Sequence, residues 1–141
     1  MSTPLDGIAS YSSFVYALAE RHSLVTHSTL ILAPIGATLA KLEGRIECQR
    51  GIHVEVWELV DFAARRIRTY SYGVYRGTEK IGWYDSWEHP EIPALAITFP
   101  HHRHRPPNLR DHRLPAPGIS FASPNLDVVL EDVRRDWLEG V

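Results

Sequence analysis

The residues of this chain that could do chemistry crowd into Ile81–His104, which reads IGWYDSWEHPEIPALAITFPHHRH. The span holds Tyr84, Asp85, His89, His101, His102 and His104, and three of those histidines fall within four positions directly after Phe99-Pro100. Five of the eight histidines in the chain lie between His89 and His112. A stable core does not require this arrangement, because each imidazole must be hydrated or hydrogen-bonded and can take up a proton near neutral pH. Lone His-x-His pairs arise by chance, but an aromatic, an acid and a histidine triplet together point to a site.

Two chemistries fit these residue types. In a strand, His102 and His104 share one face and His101 takes the other. Two imidazoles on one face, with Asp85 or His89 as a third ligand, could hold zinc or another divalent ion, the metal set being His102, His104 and His89. Without any cofactor, His101, His102, His104 and His89 could move protons to and from a ribose hydroxyl, with Asp85 or Glu58 completing the transfer. In that scheme Arg103 and Arg105 stabilise charge on phosphorus, and Tyr70, Tyr72 and Tyr84 stack on unpaired bases. Either chemistry expects at least two of the four histidines within a side-chain length of Asp85 or Glu58. Blander roles compete: a solvated His-Arg loop that only contacts a partner, a loop pinned to the sheet by Asp85 and a histidine, and tyrosines that pack across strands.

The elements that must position these groups read as an α+β domain. Ser10–His22 has Tyr11, Phe14, Val15, Leu18 and His22 at helical spacing, with Ser10 as N-cap and His22 favouring the C-terminal dipole. Leu24–Ala33 reads as one strand ended by Pro34. Thr38–Cys48 alternates, with Leu42, Gly44, Ile46 and Cys48 on one face and Lys41, Glu43, Arg45 and Glu47 on the other. Ile52–Val60, Ile67–Tyr75 and Lys80–Trp87 follow as strands joined by short turns. Glu58 continues the apolar register of Ile52, Val54 and Val56, so it marks an opening at the sheet rim or points into a pocket. Glu88–Pro124 contains eight of the ten prolines, which excludes long helices. Within this Pro/His/Arg-rich stretch (88–122), Ala94–Phe99 reads as an edge strand and Arg105–Ala122 as an irregular loop. Ser123-Pro124 supplies an N-cap and N1 pair for a final helix with Leu126, Val129, Leu130, Val133 and Trp137 on one stripe. The expected fold is a single domain over 1–141, an antiparallel meander of about five strands with an N-terminal and a C-terminal helix packed on it.

Composition narrows the function classes. At 141 residues the chain has the length for one domain with a sizeable core. A net charge of −2 gives the whole chain no pull toward nucleic acid. The charge is uneven, however. His101–Arg113 has four arginines and four histidines against Asp111 alone, and Asn125–Val141 has five acids against two arginines. A local basic patch can meet phosphates where the total does not. The single cysteine, Cys48, allows neither an intrachain disulfide nor a cysteine-based zinc site. Met1–Asp6 lacks a basic segment leading into an apolar one, and no apolar run nears a membrane span, so a cytoplasmic protein without membrane contact is expected. A homo-oligomer is left open.

The order of motifs resembles one known family. Glu58 at a strand end, Tyr70-Ser71-Tyr72, Tyr84-Asp85, His89-Pro90-Glu91-Ile92 and Thr98-Phe99-Pro100-His101-His102-Arg103-His104 are similar to the TumE family. These are small bacterial and archaeal proteins assigned as toxins of two-gene toxin–antitoxin systems. The likeness runs from the first helix to the Ser-Pro-x-Leu start of the last, and the Thr-Phe-Pro-His-His-basic-His segment is its most specific part. The resemblance implies a toxin with a small DNA-binding antitoxin as partner. Ribonuclease action is inferred from the residues. Trp83 stands where the family usually has Arg, Ser86 where it has Asn, and Gln49-Arg50-Gly51 in place of an acidic turn. Pro93–Ile97 is a longer insertion. If the missing Arg is a phosphate ligand, activity here would be altered.

Overall fold

The structure, a computed structural model, describes residues 3–138. The meander is there, with eight strands among the described residues rather than about five, in the order β1 (Val25–Ser28), β3 (Leu39–Cys48), β4 (Ile52–Asp61), β5 (Arg66–Arg76), β6 (Glu79–Asp85), β7 (His102–His104) and β8 (Arg113–Pro115), with β2 (Ile31–Pro34) also on β3. Strands β3 (Leu39–Cys48), β4 (Ile52–Asp61), β5 (Arg66–Arg76) and β6 (Glu79–Asp85) form its antiparallel centre.

The additional strands come from two places. The stretch read as one strand is two, β1 (Val25–Ser28) and β2 (Ile31–Pro34), both paired with β3. The break lies over Gly44 of β3, whose φ of +142° suits glycine. A Cβ there would meet the Thr29 carbonyl oxygen at 2.6 Å, so a side chain at 44 would prevent the crossing backbone from closing in. At the other edge, β7 (His102–His104) pairs with β6, and β8 (Arg113–Pro115) pairs with β7. The loop expected to be irregular is therefore tied to the sheet at its middle. Ala94–Phe99 is not an edge strand. Pro93–Thr98 winds as a 3-10 helix started by its proline, and β7 occupies the edge position beside β6.

The helices lie on one sheet face. The first helix begins earlier than its sequence suggests and breaks at Ala17, giving α1 (Ile8–Tyr16) and α2 (Leu18–Arg21). Ser10 lies inside α1, with its hydroxyl donating to the carbonyls of Pro4 and Gly7. The final helix, α3 (Leu126–Val133), starts at Asn125 rather than Ser123 and ends in a π turn over Arg134–Leu138. Asn125 is fully buried and serves as a hub: its amide bonds Ser120 at both N–H and C=O and donates to the Tyr72 hydroxyl. Leu126, Val129, Leu130 and Val133 are buried against Tyr11, Val15, Leu18, Leu42, Ile46 and Val56, as the apolar stripe required. Cys48 lies in this core, where burial pushes its thiol up to about 12. His22 closes α2, and its Nε2 lies 2.6 Å from Asp127 of α3. None of the described helices is long and apolar enough to cross a membrane.

Candidate functional site

Strand register decides which candidate residues meet. Asp85 lies opposite His102, and Trp83 lies opposite His104. Directly opposed residues project on the same face of a sheet, so these four side chains stand together on the face away from the helices. Tyr84 and Arg103, paired one position along, project toward α3. His101, one position before β7, takes the helix side, as alternation required: its Nδ1 is 2.6 Å from the Tyr70 hydroxyl and its ring contacts Phe121.

The three groups at the centre are Asp85, His102 and His104. His102 Nε2 is 2.9 Å from Asp85 Oδ1, His104 Nε2 is 3.2 Å from Oδ2, and the two Nε2 atoms are 3.1 Å apart. His102 and His104 are almost completely buried, while the Asp85 side chain keeps 31% of its surface. Backbone groups fix both rings from behind. Nδ1 of His104 donates to the Leu109 carbonyl at 2.6 Å, and Nδ1 of His102 lies 3.3 Å from the Pro100 carbonyl. Burial works against ionisation of Asp85, yet bonds from His102, His104, Trp83 and the Trp87 amide outweigh it and hold the carboxyl well below the usual carboxylate range. At least two of the four histidines were expected beside Asp85 or Glu58, and His102 and His104 are beside Asp85.

His89 stands next to this centre. Its ring is edge-on to His102 at 5.2 Å, and its Nδ1 is 3.0 Å from Glu91 Oε1. A carboxylate accepting from Nδ1–H leaves Nε2 as the lone-pair nitrogen. Among the described residues the converging set of possible metal ligands is Asp85, His102 and His104; of the two third ligands considered, Asp85 is in that set and His89 is not.

Several expected members are elsewhere. Glu58 is completely buried on the helix face, where the hydroxyls of Tyr11 and Tyr72 donate to its two oxygens at 2.5 Å each. Burial raises its carboxyl to about 7 against the pull of those two bonds. It belongs to a core network with Asn125 and is on the opposite face from Asp85. Tyr70, Tyr72 and Tyr84 are also buried, Tyr70 stacked on Tyr72 and the Tyr84 hydroxyl donating to Asp132. Buried rings offer no face to an RNA base, so cross-strand packing is the right account of them. Arg103 bonds the Pro115 carbonyl and faces Asp132 and Asp136, and Arg105 pairs with Asp136 over the Trp137 ring. The acidic C-terminal stretch has taken up these two arginines, and they do not face the centre.

Two residues missed in the sequence do face it. The Trp83 indole N–H donates to Asp85 Oδ2 at 2.8 Å, and the ring stacks on His104 at 3.9 Å with Lys80 above it. Arg113 of β8 lies directly opposite His104, and its Nε is buried without a hydrogen-bond partner among the described residues. Trp83 was legible as the position where the family usually has Arg. Arg113 could not be found without the β7–β8 pairing. Beside the centre, Trp87 and Phe99 expose large apolar surfaces.

Compared with known proteins, residues 15–137 match the family model described as Toxin TumE. No curated protein and no solved structure matches.

Proposed function

Because this chain belongs to the TumE toxin family, we propose that it is the toxin of a toxin–antitoxin pair and that it cleaves RNA at the Asp85–His102–His104 centre. The observation that carries this reading is the convergence of two imidazoles and a carboxylate beside an oriented His89. Cleavage through the ribose 2′-oxygen forms a bond from that oxygen to phosphorus and breaks the bond from phosphorus to the 5′-oxygen. One proton leaves the 2′-hydroxyl and one reaches the departing oxygen. Nε2 of His89, with Glu91 holding the opposite nitrogen, is suited to take the first proton, and solvent water supplies the one that reaches the departing oxygen. Arg113, opposite His104 in the register of that face, brings positive charge to the side of the sheet where charge builds on the phosphate. His-based proton transfer remains the mechanism, with Glu58 and the tyrosines removed from it.

The antitoxin neutralises this centre by covering it. The exposed Trp87, whose amide bonds Asp85, and Phe99, which shares a hollow with His89, supply an aromatic anchor beside it, and aromatic side chains of this kind dominate protein interfaces. The alternative, a protein that only docks partners through its His-Arg loop, is disfavoured because Arg103 and Arg105 are already paired within the chain.

The test is induced expression of the wild type and of His102→Ala in a host lacking the antitoxin, with growth and RNA integrity followed. Growth arrest and RNA fragmentation by the wild type, both lost in the variant, are expected. Arrest with intact RNA would remove RNA as the target.

A further inference from the structure

We propose that Asp85, His102 and His104 bind one divalent first-row transition ion, zinc being the best match, with a coordination position left open to solvent. The inference names the cofactor of the centre above, and it rests on that reading only for the ion's part in RNA cleavage.

The argument begins with the hydrogens on the rings. A carbonyl oxygen only accepts, so Nδ1 of His104 carries a hydrogen toward Leu109, and Nδ1 of His102 does the same toward Pro100. Each neutral ring then presents its lone pair at Nε2. Those two lone pairs face each other at 3.1 Å and face the Asp85 oxygens at 2.9 and 3.2 Å. Acceptors packed this closely need positive charge among them, either hydrogens on the imidazoles, which make the bonds to Asp85, or a metal ion in their place. A zinc ion with ligand bonds of about 2.0–2.2 Å in tetrahedral arrangement needs ligand atoms roughly 3.3–3.6 Å apart; the two Nε2 atoms at 3.1 Å, each facing a different Asp85 oxygen, lie somewhat inside that, so the three groups would open slightly around the ion.

The surroundings are also those of a metal site. Ligating histidines usually donate their other N–H to a carbonyl or carboxylate, and ligating carboxylates are themselves hydrogen-bonded. Here both Nδ1 atoms face carbonyls, and Asp85 receives the Trp83 indole and the Trp87 amide on its two oxygens. The ligands sit on two adjacent paired strands, a stiffer support than a loop. Two imidazoles and one carboxylate, without cysteine, suit zinc and its neighbours better than copper(I) or calcium. Three protein ligands leave room for a fourth, which is the pattern of catalytic sites, and the partly exposed Asp85 puts that opening at the surface. The ion would supply Lewis-acid charge to a phosphate oxygen, which leaves proton transfer to His89.

The full chain should be purified, stripped with chelator and titrated with Zn2+ by calorimetry, and with Co2+ by visible absorption. One equivalent is expected, with the intense visible bands of tetrahedral cobalt. Asp85→Asn and His104→Gln, close in shape to the native residues, should weaken binding by more than about 100-fold, beyond what second-sphere changes cost. His89→Ala should bind as the wild type does. Wild-type protein that takes up neither ion would overturn the inference and leave an ion pair of protonated imidazoles. Equal binding by all variants would put the ion elsewhere and overturn it too. RNA cleaved by metal-free protein would refute the ion's part in cleavage and spare the RNA reading. Tight stoichiometric zinc without RNA cleavage would do the reverse.

Discussion

Replacing Glu58 with Gln should flatten the dependence of stability on pH while leaving toxicity intact. Glu58 is fully buried, and its carboxyl is raised from 4.5 to about 7. A carboxyl that is harder to ionise when folded binds more protons in the native state than in the unfolded state between those two values. Stability therefore falls as pH rises from about 4.5 to about 7 and is level beyond. The difference between 7 and 4.5, at about 1.36 kcal/mol for each pKa unit, is roughly 3 kcal/mol. Gln has nearly the same shape and can accept from one tyrosine hydroxyl and donate to the other, so the network with Tyr11 and Tyr72 is kept without the titration. The assay is urea unfolding followed by tryptophan fluorescence at several pH values, wild type against Glu58→Gln. The other carboxylates contribute equally to both curves and cancel. The two stability curves should converge toward the acid side and separate by roughly 3 kcal/mol above neutral pH, with the variant the more stable. Parallel curves would mean that Glu58 ionises freely in the folded protein and that its burial beneath the helices is wrong. Loss of toxicity in a well-folded variant would return it to the catalytic set.

Trp83→Phe keeps the stack on His104 but removes the N–H donated to Asp85. It should lower RNA cleavage by about 10- to 100-fold, the usual cost of losing a bond that orients a ligand, with the melting temperature nearly unchanged. The two arginine classes should separate cleanly. Arg113→Gln should impair cleavage with little effect on folding, whereas Arg103→Gln, which removes a cation shared by Asp132 and Asp136 and the bond to the Pro115 carbonyl, should cost about 1–3 kcal/mol in urea unfolding and leave cleavage by the folded fraction unchanged.

Parts of this arrangement could be read in the chain because local rules settle them. Period-two alternation placed Leu42, Ile46 and Cys48 in the core, and the same rule put His102 and His104 on one face with His101 on the other. The helical stripe from Leu126 to Val133 was equally legible. What failed depends on register between strands, which single-chain patterns do not fix. Glu58 and Asp85 both read as carboxylates that could sit beside the histidines, yet the pairings of Glu58 with Tyr70 and of Tyr72 with Tyr84 put them on opposite faces. Arg103 and Arg105 read as phosphate ligands because the acids of the C-terminal stretch are some thirty positions away, and only folding brings Asp132 and Asp136 beside them. Strands as short as β7 and β8 carry no period to detect, so the loop holding Arg113 looked irregular. Trp83 was noticed only as a departure from the family pattern, because an aromatic in a strand ordinarily means packing.

The central claim, that Asp85, His102 and His104 form the working centre of an RNA-cleaving toxin, is tested most directly with purified protein and an end-labelled RNA. Wild type and Asp85→Asn, matched for far-ultraviolet circular dichroism and melting temperature, are incubated with the RNA and with the same strand carrying 2′-deoxyribose. The account predicts that the wild type fragments the RNA, spares the deoxy strand, and is inactive once Asp85 can no longer hold the two imidazoles in place. Cleavage by Asp85→Asn at the wild-type rate would contradict it.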